Sequence, residues 1–200
     1  MRRRYRDGTL ILETEFENDE GAVRVIDSMP LSNERWDIVR IVEGLSGRVR
    51  MRTELVIRFD YGSIVPWVHK AHGTLLATAG PDTLELHTAV CTHGEQMKTV
   101  ARFEVGAGER VPFVLNYRPS HVPMQPAIDP EQTLLETQRE WLEWSQRGSY
   151  QGRWRSEVLR SLITLKALTY APAAASSRRP LPRCPNRAAA CAIGTTATAG

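Results

Sequence analysis

Between Arg48 and Tyr61 the chain reads RVRMRTELVIRFDY, and Val49, Met51, Thr53, Leu55, Ile57 and Phe59 occupy every second position. Successive side chains of a strand point to opposite faces. The run therefore predicts a long strand with one apolar face and one wet face carrying Arg48, Arg50, Arg52, Glu54 and Arg58. A solvated sheet face accounts for that arginine row more simply than a polyanion stripe does. The same two-residue period recurs on either side. Thr9–Glu17 alternates around Leu10, Leu12, Thr14 and Phe16, Asn18-Asp19-Glu20-Gly21 is a turn signal, and Ala22–Met29 continues with Val23 and Val25, which predicts a β-hairpin. Asp37–Leu45 predicts the next strand, with Ser46-Gly47 as a tight turn into Arg48–Tyr61. Ile64–Lys70, Gly73–Ala79, Thr83–Thr88, Met97–Val105 and Arg110–Tyr117 follow, punctuated by Gly80-Pro81-Asp82 and Gly106-Ala107-Gly108-Glu109. Short strands with turns at this spacing predict an antiparallel β-sandwich over residues 1–117.

The period changes after Arg118. RPSHVPMQPAI (118–128) is a proline-broken connector. Asp129, Pro130 and Gln132 then supply an N-cap, a first-turn proline and a capping-box position. Leu134, Leu135, Trp141 and Leu142 give this helix an apolar face, and Arg147-Gly148-Ser149 ends it, so 118–152 is a linker containing one helix. Arg153–Tyr170 carries the strongest helical signal in the chain, with Trp154, Val158, Leu159, Leu162, Ile163 and Leu165 at the spacing of one face. Residues 171–200 are rich in Ala, Pro, Arg, Thr and Gly and contain no aromatic residue. Such a composition buries too little surface to offset chain entropy, so disorder is expected there. The fold class is thus mainly β: an antiparallel sandwich, two α-helices and a disordered tail.

Charge changes this picture little. The formal net charge is +3, but Arg178, Arg179, Arg183 and Arg187 lie in a tail without acids, and the body without them carries −1. Nucleic acid is therefore not an expected partner. A basic-tail binder would show salt-dependent DNA binding lost on deleting 171–200. Arg2, Arg3, Arg4 and Arg6 read as a solvated end. No apolar run approaches bilayer length, and MRRRYRDG lacks the apolar stretch of a signal peptide, so no membrane span and a cytoplasmic location are expected. Cys91, Cys184 and Cys191 have no paired spacing and are expected to be free thiols rather than zinc ligands or a disulfide framework.

Candidate chemistry is sparse. Glu13, Glu15 and Glu17 share one strand face, which reads as solvated acids rather than an acid/base pair. His69, His72, His87 and His93 are scattered; His87, Cys91 and His93 form the nearest approach to a metal cluster, and a strand with its turn explains them better. Ser120-His121 has no nucleophile elbow around it. Trp36, Trp67, Trp141, Trp144 and Trp154 could stack on sugar rings, but core and inter-element packing is the simpler expectation. No residue is assigned a catalytic, cofactor-binding or metal role, and no cofactor is expected.

GRVRMRTELVIRFDYG (47–62), AGERVPFVLNY (107–117) and above all RSLITLKALTYAP (160–172) resemble glycoside hydrolase family 15, the glucoamylase- and trehalase-like family. The resemblance runs from about Arg3 to Pro172 and implies an N-terminal β-sandwich, a helical linker and a C-terminal (α/α)6 barrel carrying the chemistry. It makes 153–170 the first helix of that barrel. Family members are inverting α-glycosidases acting on saccharides. Their acid and base carboxyls lie on barrel loops, at no position matched here. The resemblance also implies a further N-terminal segment, so the sandwich is expected to be incomplete at its N-terminus.

In the family, the LKALTYAP stretch continues as TGGIVAAPTTSLPE and then GGVRNWDYRYCWLRDA. The present chain departs after Pro172. Read one frame over, each shifted codon takes its first base from a wobble position and its last two from the fixed bases of the next residue. Residues 173–200 then admit GGIVAAPTTALPEQGGGVRNWDYRYCW, and a following Leu-Arg coded CTG-AGG would place TGA after Gly200. The expectation is an out-of-frame tail on a fragment that lacks the catalytic barrel and is inactive alone. The alternative expectation is an autonomous carbohydrate-binding or interaction module.

Overall fold

The computed structural model describes residues 1–31, 35–169 and 190–198. Eleven strands form one antiparallel sheet that folds over on itself. They are β1 (Arg2–Tyr5), β2 (Leu12–Asn18), β3 (Gly21–Ser28), β4 (Trp36–Arg58), β5 (Trp67–Ala71), β6 (Thr74–Ala79), β7 (Asp82–His87), β8 (Thr92–Glu95), β9 (Lys98–Gly106), β10 (Arg110–Pro119) and β11 (Ala190–Thr198). The helices are α1 (Pro130–Ser145) and α2 (Arg155–Ala167). The mainly β fold with two helices is as the sequence pattern predicts.

The long strand β4 organises both layers. Its first half lies in the order β1-β2-β3-β4-β10-β7-β6-β5, and its second half pairs with β11 on one side and β9 on the other, with β8 outside β9. The tight turn expected at Ser46-Gly47 is absent, and β4 runs through it. Gly47 adopts φ +64°, and the register with β3 shifts between Ala22 and Val23. This bulge changes which positions face inward. Ile38 and Val42 point at the core before it, and odd-numbered Val49, Met51, Leu55, Ile57 and Phe59 do so after it. A side chain at Gly47 would place its Cβ 2.0 Å from the Glu20 carbonyl oxygen, and one at Gly44 would lie 1.9 Å from that of Gly106. Both close approaches explain why a turn-like dipeptide sits inside a strand.

The core between the layers joins Val23, Val25 and Val42 to Leu84, Leu86, Phe113 and Leu115 on one side and to Met51, Leu55, Phe59 and Val105 on the other. The rings of Phe103 and Phe113 meet across it, with centroids 5.5 Å apart. A second cluster lies on the outer face of the larger layer, where Ile11, Ile26, Val39, Ile41 and Val114 receive Leu134 of α1 and Ile128. The side chain of Asp129 accepts from the backbone N–H groups of Glu131 and Gln132, so the expected cap is present. Gln132 turns to Glu136 instead of closing the capping box.

Several expectations need correction. The helix predicted for Arg153–Tyr170 spans Arg155–Ala167; Tyr170 lies outside the described residues. The strand predicted at Ile64 begins at Trp67, because a 3-10 turn at Asp60–Gly62 and Pro66 precede it. The basic N-terminus is strand β1. Within the tail expected to be disordered, Ala190–Thr198 pairs with Arg50–Arg58 of β4. The unpaired N–H and C=O row of that edge is a template for any extended segment, and Thr195 hydrogen-bonds Thr53 through their hydroxyls at 2.6 Å. The remainder of the tail, 171–189 and 199–200, lies outside the described residues.

Candidate functional site

Three places concentrate polar side chains. The first lies on the outer face of the larger layer. Register places Asp37, Asn116 and Glu85 side by side on β4, β10 and β7, and all three are buried. Asn116 Nδ2 donates to Asp37 Oδ1 at 2.8 Å, and Arg35 Nε lies 3.0 Å from Asp37 Oδ2. Arg118 Nε donates to Glu85 Oε1, and its Nη1 donates to the Val122 carbonyl, tying the connector down over the carboxylate. The other oxygen of Glu85 and Nε2 of His87 are 3.6 Å apart, and neither has a hydrogen-bond partner among the described residues. His87 Nδ1 lies 3.2 Å from the Thr74 hydroxyl.

The second is the seam between β1–β2 and the helices. Glu13 is buried and accepts from Arg6 Nε at 2.7 Å and Arg4 Nε at 3.0 Å. Burial alone would raise its pKa, but the hydrogen bonds from Arg6 and Arg4 and the neighbouring positive charge outweigh it and hold the carboxyl below its ordinary value. Arg6 also donates to Gln138 Oε1 at 2.6 Å, which links this pair to α1. Further along, Arg160 of α2 donates to the Thr9 carbonyl at 2.8 Å and lies over the Tyr5 ring. Ile163 is the buried apolar residue of α2, while Leu162, Leu165 and Leu168 are exposed.

The third is a groove of about 400 Å3 where the two layers part, between β5 and the β8–β9 hairpin. Leu55, Ile57 and Leu75 form its floor, and Val65, Pro66, Val68 and Met97 form its walls. Its single lining carboxylate, Glu95, is already engaged by Arg102 at 3.1 Å and Arg52 at 3.6 Å.

Against these sites, the residues singled out in the sequence divide clearly. Glu13 is not part of a solvated face, and Glu15 meets Arg24 at 2.8 Å; Glu17 is exposed. Arg2, Arg3 and Arg4 lie on the exposed first strand as expected, and Arg4 and Arg6 in addition pair with Glu13. Of the arginine row, Arg50 meets Glu20 at 2.8 Å and Arg48 reaches Glu104 and Glu109 at 3.9 and 3.8 Å. His87 faces Glu85, and His93 lies 3.1 Å from Arg102. Cys91 is a free, exposed thiol, and no three metal-ligating side chains converge among the described residues. Trp141 is buried against Trp144 and Trp36 packs on Tyr117, whereas Trp67 is 70% exposed and stacks on His69 at 4.2 Å. Sequence reasoning missed the Asp37–Asn116–Glu85 row. The alternation of Thr83, Glu85 and His87 marked a polar strand face, but nothing local showed that the connector would cover it.

Chemically, these arrangements hold anions and do not pair them. Inverting glycoside hydrolysis needs two carboxyl groups about 6.5–9.5 Å apart across a substrate cleft. The groove between the layers has Glu95, the cleft beside α2 has Asp7, and the shallow depression along Arg50–Arg52 and Arg102–Glu104 has Glu104, one carboxylate each.

The architecture is that of a mainly β protein with a covering helix on its outer face and a second helix at its edge. No family model matches the chain. Its sequence is similar to trehalases: 29% identical to that of Mycobacterium tuberculosis over 92% of the chain and 31% of the relative. It is 29% identical to the trehalase of Mycolicibacterium smegmatis over 86% of the chain and 30% of the relative. The trehalase of Thermoplasma volcanium is 24% identical over 84% of the chain and 28% of the relative. The chain thus spans about a third of the length of the curated relatives it matches.

Proposed function

We propose that this chain is the sandwich and linker portion of a trehalase-like α-glycoside hydrolase of glycoside hydrolase family 15, without catalytic activity of its own. In this reading residues 1–117 are the sandwich portion, 118–152 the linker, and α2 (Arg155–Ala167) the first helix of a catalytic barrel. The parent takes a saccharide substrate in the cytoplasm. The observation that carries this reading is the similarity to trehalases over 84–92% of the chain, confined to about a third of each relative. One further observation supports it. Leu162 and Leu165 of α2 and Leu168 at its C-terminal cap stand exposed, as on a helix whose partners lie elsewhere.

We also propose that the codons after Pro172 are read one base out of frame, so that 173–200 replaces family sequence. The support is the shifted reading, in which the residues present fix two of every three bases except where Ser, Arg or Leu admits two codon families. The proposal for function is tested by incubating the purified chain with trehalose, maltose and starch. No glucose release is expected. Turnover abolished by a point substitution in the chain would overturn it.

A further inference from the structure

We propose that the groove between β5 and the β8–β9 hairpin binds a small organic carboxylate with an apolar body. This goes beyond the glycosidase reading and does not depend on it. The groove has the size of pockets that take small organic ligands, which run from roughly 300 Å3 upward. It opens where both layers end, since among the described residues β5 pairs only with β6 and β8 only with β9. Its floor is made of core residues, Leu55, Ile57 and Leu75, so an apolar ligand there would continue the core.

Two lining cations decide the charge of the ligand. Lys70 Nζ donates to the Thr92 carbonyl at 2.8 Å, and among the described residues its other two donors have no partner. Arg58 Nη1 donates to the carbonyls of Ile57 at 2.7 Å and Met97 at 3.4 Å, and among the described residues Nε and Nη2 make no further bond. Neither cation has a carboxylate partner among the described residues. The other lining charges do: Lys98 pairs with Glu54 at 2.9 Å, and Glu95 pairs with Arg102. The polar lining therefore offers spare donors and positive charge above an aliphatic floor. A guanidinium and an ammonium suit a carboxylate, and the floor suits an alkyl or aryl body. A saccharide fits less well, because aliphatic side chains cannot satisfy its hydroxyls and the one lining carboxylate is taken.

The test titrates the full 200-residue chain with octanoate and, separately, with 1-octanol, by calorimetry at low salt. Octanoate is expected to bind saturably and to weaken with added salt. Lys70→Gln and Arg58→Gln, each confirmed folded by its thermal transition, are each expected to weaken octanoate roughly tenfold and to leave 1-octanol unchanged. The proposal is overturned if octanoate shows no saturable binding at millimolar concentration, or if both folded variants bind it as the parent chain does. It is equally overturned if octanoate and 1-octanol weaken together.

Discussion

Arg6 Nε lies 2.7 Å from Glu13 Oε1, so a residue just beyond the first strand fixes a buried carboxylate in the second. Because Arg6 also reaches Gln138, this pair joins the sheet to α1.

Glu13→Gln is expected to destabilise the chain by about 1–3 kcal/mol at pH 7, the cost of weakening the charged hydrogen bonds that Arg6 and Arg4 make to this buried position. The sign of the pH dependence follows from the lowered pKa of Glu13. Its contribution is fully present above the ordinary glutamate value of about 4.3 and is lost as pH falls through the lower folded-state value. Urea unfolding of parent and variant from pH 7 downward is expected to show the gap closing in acid. A gap that stays constant would refute the assignment.

Arg118 faces Glu85, which is fully buried. Arg118→Met strands that carboxylate and is expected to cost about 3–5 kcal/mol, whereas the double variant Arg118→Met with Glu85→Leu recovers most of the loss. A double-mutant cycle by chemical denaturation measures the coupling. Additive single effects would show that the two side chains act independently.

Gly47→Ala places a Cβ 2.0 Å from the Glu20 carbonyl oxygen at a residue with φ +64°. It is expected to cost more than about 2 kcal/mol, since the bulge that redirects β4 cannot relax without moving backbone. Gly108→Ala, also at positive φ but with open space around it, is expected to cost less. Thermal unfolding of the two variants gives the comparison.

Much of the fold was legible because burial follows the two-residue period. From Val49 to Phe59 every expected inward residue is buried, and Asp129 caps α1 as its spacing predicts. What was not legible arises from contacts distant in sequence. Ser46-Gly47 looks like a turn locally, and only its pairing with Ala22 and Gly21, beside a register slip at Leu45, shows that the strand continues through it. Glu13 and Glu85 look like solvent-facing acids in their own strands. Glu13 is paired by Arg6, seven residues before it, under α1, and Glu85 by Arg118 and the connector, more than thirty residues on. The tail strand β11 was missed for a similar reason: its composition forms no core, but an open edge of β4 supplies the hydrogen bonds.

The two sides of α2 are expected to respond differently. Ile163→Ala should cost about 2–5 kcal/mol, because that side chain is buried. Leu165→Gln, at a position 62% exposed, should change stability by less than about 0.5 kcal/mol. Equal losses would mean that the exposed side also packs within this chain.

The most direct test of the central claim is the nucleotide sequence from codon 160 through and beyond codon 200. The proposal expects that a single-base shift after Pro172 restores GGIVAAPTTALPEQGGGVRNWDYRYCW, followed by open reading into a barrel-encoding region. A sequence in which no alternative frame encodes NWDYRYCW would contradict it, and residues 173–200 would then stand as the chain's own C-terminal segment.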